Sequence, residues 1–263
     1  MDLGLKNKRV IVTASSKGLG KATALQFAKE GAKVLISSRN VEELVATAKE
    51  LITLSNNNEV YNTVCDVTNE SDINRLFETA NAQLGGVDIL VNNAGGPTPG
   101  GFSQASDDDW HAAFEKNLLS YIRTIRLALP NMKEQNFGRI VNISSSSTKE
   151  VIDGLILSNT FRLGMVGLSK SIAREYAEHN IIINTVGPGR ILTDRITELD
   201  QNAAEKKKVS IDEIQEENKK MIPFGRYGEP AEFANIIAFL CSEANTYMTG
   251  QNLVVDGGML KAL

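Results

Sequence analysis

Short runs of β-branched and aliphatic residues alternate along this 263-residue chain with longer amphipathic segments. Seven runs stand out: RVIVTA, KVLIS, VYNTV, ILVNN, RIVNIS, IIINTV and NLVVDG. Uninterrupted apolar runs predict strands that are buried on both faces, and the segments between them predict helical crossovers joining parallel strands. The pattern therefore predicts an α/β fold: one doubly wound parallel sheet of about seven strands with helices on both faces.

Composition and charge exclude several classes of function. The sequence is 42% hydrophobic and 23% charged, as is ordinary for a globular protein, and its formal net charge is −4. Nucleic-acid and anionic-membrane surfaces need basic patches, so the negative charge favours a small-molecule partner. Cys65 and Cys241 are far apart and form neither a disulfide framework nor a metal motif. With no apolar run long enough to span a bilayer, the sequence predicts a cytoplasmic protein without a bound metal.

The segment that follows the first predicted strand is rich in small residues. It runs from Thr13 to Gly20 and opens the predicted helix KATALQFAKE. Glycines at such a place let the backbone approach a pyrophosphate at the helix N-terminus, although a plain tight turn is the alternative. Ala14 stands where a further glycine is expected. The residues predicted to contact a dinucleotide here are Thr13, Ser15, Lys17, Gly18, Leu19 and Gly20.

The ends of the next two strands indicate which dinucleotide is bound. The second strand ends at Ser38 and Arg39, without the acidic residue that NAD-binding proteins usually offer to the adenosine ribose. Arg39 and Lys17 are placed to meet a 2′-phosphate, which favours NADP(H), although Arg39 alone could be a solvated surface charge. After the third strand, Asp66 and Val67 are predicted to border the adenine. The alternative for Asp66 is to cap the following helix.

From the fourth strand onward the motifs become specific. In chain order they are Asn93-Ala94-Gly95, Asn117, Ser145, Asn184, Pro188-Gly189 and Thr193. Together with the glycine-rich loop, they resemble the motifs of the short-chain dehydrogenase/reductase family and cover essentially the whole sequence. The resemblance implies one Rossmann-type domain over residues 1–263, assembled as a homotetramer or homodimer. It also implies hydride transfer between a nicotinamide cofactor and a carbonyl or alcohol.

The resemblance also implies roles for individual residues. Asn117 would bend its helix and hold a proton-relay water through its backbone. Arg162 would contact the nicotinamide ribose from a later helix. The other residues implied to bind the cofactor in this half of the chain are Asn93, Ala94, Gly95, Pro188, Gly189, Ile191 and Thr193.

One departure from the family pattern concerns the catalytic helix. Family members have a Ser after the fifth strand and then Tyr-x-x-x-Lys, in which the Tyr exchanges the substrate proton and the Lys holds the ribose. Here Ser145 matches the family Ser, while Ser158 and Arg162 stand at the Tyr and Lys positions. Arg keeps the positive charge, but an aliphatic hydroxyl is a far weaker acid than a phenol. Tyr227 and Tyr247 are the tyrosines that the fold could bring near the pocket.

Three hypotheses follow for the predicted catalytic set, which is Asn117, Ser145, Ser158 and Arg162. The first is an NADPH-dependent carbonyl reductase of the 3-oxoacyl-thioester-reductase type, in which the serines and Arg162 hydrogen-bond the oxyanion and a water supplies the proton. The second is conjugate reduction of an enone, in which an enolate oxygen needs charge stabilisation. The third is a protein that binds NADP(H) without turnover.

Two further segments are expected to shape the substrate pocket. The loop GGPTPGGF borders it, and residues 194–222 predict a helical lid. The charge run in this lid indicates a solvated face, or else Lys206 to Lys208 attract a carrier-linked anionic substrate. Helices predicted at 107–132 and 155–178 carry apolar residues on more than one face, which fits pairing with a second subunit.

Overall fold

The computed structural model describes residues 2–262 and contains a seven-stranded parallel sheet. The strands are β1 (Arg9–Val12), β2 (Lys33–Ser38), β3 (Val60–Val64), β4 (Ile89–Asn92), β5 (Gly138–Ile143), β6 (Ile181–Pro188) and β7 (Asn252–Val255). Each strand coincides with one of the seven predicted apolar runs. The predicted strand number and parallel arrangement are therefore confirmed.

The order of the strands creates a crevice beside β1. The sheet runs β3-β2-β1-β4-β5-β6-β7, so the chain builds outward from β1 and then returns to place β4 on the other side. Val10 of β1 pairs with Val34 of β2 and with Ile89 of β4. The connections diverge between β1 and β4, where ligands bind in doubly wound sheets.

Helices cover both faces of the sheet, as predicted. They are α1 (Gly18–Lys29), α2 (Val41–Ser55), α3 (Glu70–Leu84), α4 (Asp107–Phe114), α5 (Ser120–Glu134), α6 (Ile156–Glu175), α7 (Asp194–Lys207), α8 (Ile211–Lys220) and α9 (Pro230–Leu240). Buried side chains of α1, α2 and α9 pack on one face, and those of α3, α5 and α6 pack on the other. The core therefore lies in two apolar layers with the sheet between them.

The central strand β1 shows why its sequence is apolar throughout. Val10 and Val12 belong to the layer of α1, α2 and α9, whereas Ile11 belongs to the opposite layer. All three side chains are completely buried. Each contributes about 1.5–3 kcal/mol through removal of apolar surface from water. A polar side chain at any of them would face an apolar layer.

Two predicted helical regions differ in detail from the expectation. The helix predicted over 107–132 is divided into α4 and α5 by a π-helical turn at Glu115–Leu119. The segment predicted as a lid over 194–222 forms the two helices α7 and α8. Within residues 2–262, no helix combines the length and the apolar character needed to cross a bilayer.

Candidate active site

A cavity of about 770 Å³ lies at the carboxyl ends of the strands, next to the switch point. Its walls come from the segments that follow β1 to β6, so distant parts of the chain meet there. The predicted site residues that line it are Lys17, Gly18, Leu19, Ser38, Arg39, Asp66, Val67, Asn93, Ala94, Gly95, Ser145, Ser158, Arg162, Pro188, Gly189, Ile191 and Thr193. The predicted cofactor and catalytic residues therefore share one continuous space.

Four predicted site residues do not line this cavity: Thr13, Ser15, Gly20 and Asn117. The Thr13 hydroxyl donates to the Asn93 carbonyl oxygen at 2.7 Å and accepts the Asn93 N–H at 2.8 Å. The Ser15 hydroxyl donates to the Val12 carbonyl oxygen at 2.7 Å. Both hydroxyls therefore stabilise the glycine-rich loop through hydrogen bonds to the backbone and do not face the cavity.

The glycine-rich loop is tightest where Ala14 meets Gly20. A Cβ added at Gly20 would lie 2.7 Å from the Ala14 carbonyl oxygen, so only glycine lets α1 pack on the loop. Ala14 has a φ of 45°, in the left-handed region where glycine is favoured. Alanine costs about 1 kcal/mol there. Ala14 thus keeps the loop shape that the missing glycine would adopt without strain.

The N-terminus of α1 meets the requirements of a pyrophosphate site. Lys17, at the cap position, makes no side-chain hydrogen bond to the first N–H groups of the helix, and the first turn contains no acid. Gly18 has a φ of 59°, and a Cβ there would approach only Thr193, at 3.7 Å. Free N–H groups and the helix dipole favour an anion at such a place. These residues therefore fit the phosphates of a dinucleotide.

The end of the cavity predicted to hold the adenosine contains one ionised acid beside a cation. A carboxylate oxygen of Asp66 lies 3.8 Å from the Arg39 guanidinium. Burial alone would raise the pKa of Asp66, but hydrogen bonds from Thr68 and the charges of Arg39 and Lys116 hold it below its ordinary value. The capping alternative is not what the structure shows, because the side chain of Asn69 accepts the first N–H groups of α3.

Asn117 lies inside the π-helical turn that separates α4 from α5. Its side-chain amide donates to the Gly95 carbonyl oxygen at 2.9 Å, and the residue is completely buried. A π-helical turn widens the helix locally, which agrees with the bend implied for this residue. Asn117 therefore ties the catalytic side of the cavity to the turn that follows β4.

Three serines form a hydroxyl-rich wall where β5 ends. The Ser145 hydroxyl accepts the Ser147 N–H at 3.1 Å, which leaves its own proton free for another acceptor. The Ser158 hydroxyl lies 3.5 Å from the Ser147 hydroxyl, at the limit of hydrogen bonding. Ser158 is only 7% exposed. Ser145 thus keeps an unused hydroxyl proton beside the cavity, whereas either hydroxyl of the Ser147–Ser158 pair can be the donor.

Arg162 is buried in the same wall and is held by uncharged oxygens. One terminal nitrogen donates to the Ile143 carbonyl oxygen at 2.8 Å and to the Tyr121 hydroxyl at 3.3 Å. The other donates to the Ala94 carbonyl oxygen at 3.4 Å, and Nε has no partner. Within residues 2–262, no carboxylate lies within 4.0 Å of this guanidinium. Its positive charge is therefore not neutralised by the protein.

None of the five tyrosines lines the cavity. Tyr247 is 96% exposed, and the Tyr227 hydroxyl donates to the buried carboxylate of Asp200 at 2.7 Å. Neither therefore replaces the missing family tyrosine. Tyr121, which no sequence motif marks, is the tyrosine that contacts Arg162, and its hydroxyl donates to the Ile143 carbonyl oxygen at 3.1 Å. Burial raises the pKa of this phenol, although the neighbouring Arg162 opposes the rise.

A buried polar network fastens α7 and α8 to the body of the protein. The carboxylate of Asp200 in α7 accepts from Arg190 and from Asn218 of α8, each at 2.9 Å, and from Tyr227. Asp200 is 1% exposed. Since every partner comes from a different segment, the network fixes how the two helices sit over the cavity.

Apolar side chains line much of the rest of the cavity. Ile152 and Leu155 come from the loop after the serine wall, Leu199 from α7, and Met221 and Met259 from later segments. The Gly100 N–H donates to the Gly154 carbonyl oxygen at 2.7 Å, which joins the loop at Gly100 to the loop that carries Ile152. This part of the cavity is suited to an apolar group next to the hydroxyl-rich wall.

Known proteins resemble this chain over nearly its whole length. A family model described as enoyl-(acyl carrier protein) reductase matches residues 13–260. The chain is 35% identical to a 3-oxoacyl-[acyl-carrier-protein] reductase of Aquifex aeolicus, over 98% of this chain and 100% of that protein. It is 30% identical to the NADPH-dependent reductase BacG of Bacillus subtilis, with the same coverage.

A solved structure shares the whole fold. The L-sorbose reductase from Gluconobacter frateurii, complexed with NADPH and L-sorbose, superposes with a TM-score of 0.95 at 31% identity, covering 100% of both chains. The family match, these relatives and the ordered motifs around one cavity lead to a single conclusion. The chain belongs to the short-chain dehydrogenase/reductase family of oxidoreductases.

Proposed function

We propose that this protein is an NADPH-dependent oxidoreductase that reduces a carbonyl substrate of the 3-oxoacyl-thioester type. The observation that carries the proposal is the unneutralised Arg162 guanidinium beside the hydroxyls of Ser145 and Ser158. The dinucleotide, when bound, supplies the hydride. These groups of the protein would hold the carbonyl oxygen as it becomes negatively charged.

The electrostatics of Arg162 support this role. The guanidinium is 4% exposed and its contacts are two carbonyl oxygens and a phenol. A positive charge in a site screened from water stabilises a developing oxyanion more strongly than it would in solution. Because the donors are fixed by backbone contacts, they need little rearrangement during the reaction.

The proton of the product has a different source from that used in the family pattern. Ser158 is too weak an acid to replace a phenol, so a water held by the serine wall would supply the proton. Loss of a general acid usually costs about 10²–10⁴ in rate. Positioning of the reactants can contribute an effective molarity of roughly 10⁵ M or more. Turnover that is slow but measurable is therefore expected.

The cofactor preference rests on the charges of the adenosine end. Lys17 and Arg39 line it, and the family acid that would bind an unphosphorylated ribose is absent. The B. subtilis relative is described as NADPH-dependent, and the G. frateurii reductase was solved with NADPH. We therefore propose NADP(H) over NAD(H), with α7 and α8 acting as a lid over the substrate.

Conjugate reduction of an enone is the second candidate. In that reaction the substrate is reduced at carbon, and its oxygen carries negative charge as an enolate. Arg162 can stabilise such an oxygen without immediate protonation, and no tyrosine lines the cavity to protonate it. The absence of a phenol from this wall is the observation that favours this second candidate.

A panel of matched substrates tests both candidates. NADPH oxidation would be followed with 3-oxoacyl thioesters and with enones of the same chain length. Turnover of the thioesters supports carbonyl reduction, and turnover of the enones alone supports conjugate reduction. Tight NADPH binding without turnover of either would overturn both and leave a non-catalytic NADP(H)-binding protein.

A double variant separates the two activities further. Ser158→Tyr with Arg162→Lys restores the family pair on α6. If the double variant reduces ketones and the native protein does not, the native protein is not a ketone reductase. If both reduce the same ketones, with the variant faster, the water-mediated proton of the first candidate is supported.

We also propose that the protein forms a dimer or tetramer. Phe114 of α4, Leu127 of α5 and Leu163 of α6 are apolar side chains that are 37%, 37% and 55% exposed. Pairing of these helices with a second copy would cover them. Size-exclusion chromatography with light scattering measures the mass, and a monomer would contradict the assembly.

A further inference from the structure

Lys116 lines the cavity, although no motif in the sequence marks it. It lies in the π-helical turn next to Asn117. The Asn117 amide donates to the Gly95 carbonyl oxygen at 2.9 Å, and the Lys116 ammonium donates to the Gly96 carbonyl oxygen at 3.3 Å. Both side chains thus reach the turn that follows β4, and Lys116 places a positive charge on the cavity wall there.

The Lys116 ammonium has donors to spare. An ammonium group carries three N–H donors, and its single side-chain hydrogen bond is the long one to Gly96. Within residues 2–262, no carboxylate oxygen lies within 4.0 Å of its nitrogen. Lys21 and Lys207, in contrast, pair with glutamates at 2.7 and 2.6 Å on the surface. Lys116 therefore lacks the partner that a partly buried cation usually has.

The charges around Lys116 are mostly positive. Burial lowers the pKa of its ammonium, and the charges of Arg39, Arg162 and Arg195 lower it further. Asp66 is the acid that opposes them. An anion bound in the cavity would offset this mutual repulsion and stabilise the charged ammonium.

We propose that Lys116 is a phosphate-binding residue of the dinucleotide site, in addition to the motif residues. This inference rests on the proposed NADP(H) function. A dinucleotide offers two sources of phosphate, the 2′-phosphate and the pyrophosphate. Lys116 and Arg39 line the same cavity, and the Lys116 ammonium reaches the turn after β4, so either phosphate can be the partner and the titration distinguishes them.

Binding measurements on the full-length protein test this role. The dissociation constants of NADPH and NADH are measured by fluorescence titration for the native protein and for Lys116→Met. Loss of one phosphate contact is expected to weaken NADPH about tenfold, and an unchanged NADH affinity would assign Lys116 to the 2′-phosphate. An equal loss for both nucleotides assigns Lys116 to the pyrophosphate. Unchanged affinity for both overturns the proposal.

Two further variants exclude a merely structural effect. Lys133→Met makes the same substitution on an exposed lysine of α5 outside the cavity, and it should leave both affinities unchanged. Lys116→Arg keeps the charge and should retain NADPH affinity within about threefold. If Lys116→Arg binds as weakly as Lys116→Met, the charge is not what binds phosphate and the proposal is wrong.

The titration of the native protein separates this inference from the proposed function. If the native protein binds neither nucleotide, the proposed function and the role of Lys116 both fail. If it binds NADPH and turns over substrate while Lys116→Met binds equally well, the function stands and only the role of Lys116 fails.

Discussion

The two ends of the cavity differ in how far their charged groups are exposed to water. At the proposed adenosine end, backbone N–H groups at the start of α1 and exposed cations such as Arg39 would offer charge to a phosphate in contact with water. At the reaction end, Arg162 is buried among carbonyl oxygens and hydroxyls. The first end gains from simple charge attraction, whereas the second depends on fixed geometry and low exposure.

This difference shows why one end follows its family pattern and the other departs from it. Phosphate binding requires free N–H groups and positive charge, and several loop sequences can supply them. A proton donor requires one group of suitable pKa at one place. We therefore propose that Ser158 and Arg162 at the family positions alter the chemistry, while the fold is retained.

The largest effect is expected for Arg162→Met. Loss of a preorganised oxyanion donor should lower kcat by about 10²–10³-fold, and NADPH affinity should fall much less. Steady-state kinetics and a separate NADPH titration measure the two quantities. Arg162→Lys keeps the charge but loses the paired donors of the guanidinium. Its kcat should lie between that of the native protein and that of Arg162→Met. A loss confined to NADPH affinity would make Arg162 a cofactor residue only.

A smaller effect, on NADPH affinity and not on kcat, is expected for Arg39→Ala. Its guanidinium is largely exposed, so NADPH affinity should fall about tenfold, with NADH affinity and kcat unchanged. Arg75→Ala removes an exposed arginine of α3 that does not line the cavity, and it serves as the control. If Arg39→Ala weakens NADH equally, the 2′-phosphate is not its partner.

Ser158→Ala should have a still smaller effect. The Ser158 hydroxyl would be a neutral donor that shares the oxyanion with Ser145 and the charged Arg162, so its loss should lower kcat by about tenfold or less. The ratio of kcat for the variant and the native protein measures this directly. A loss of about 10⁴ would instead identify Ser158 as the proton donor and contradict the water-mediated route.

The smallest effect is expected for Ala14→Gly. Glycine relieves the left-handed strain at this position but gains entropy in the unfolded chain, so the free energy of unfolding should rise by about 1 kcal/mol at most. Urea denaturation measures it. Ala22→Gly, inside α1, is the matched control and should lower stability by about 1 kcal/mol. If Ala14→Gly lowers the free energy of unfolding as much as Ala22→Gly does, Ala14 is not strained.

Much of the fold and about half of the residues that line the cavity could be predicted from the sequence, since their signals are local. Each strand is a continuous apolar run, and Gly20 and Asn93 stand in short motifs whose spacing reflects one turn. The same patterns did not show that the hydroxyls of Thr13 and Ser15 face away from the cavity. They also left open whether Asp66 borders the adenine or caps α3, and in the structure Asn69 caps this helix.

By itself, the sequence determined the doubly wound sheet, the loop at the start of α1 and the substitutions at Ser158 and Arg162, because these depend on neighbouring residues. Only the tertiary structure decided that Tyr121 contacts Arg162, that Lys116 reaches the turn after β4, and that Asp200 joins α7 to α8. These contacts bring together side chains from separate segments of the chain. Their partners are chosen by the packing of whole helices against the sheet, which no local pattern records.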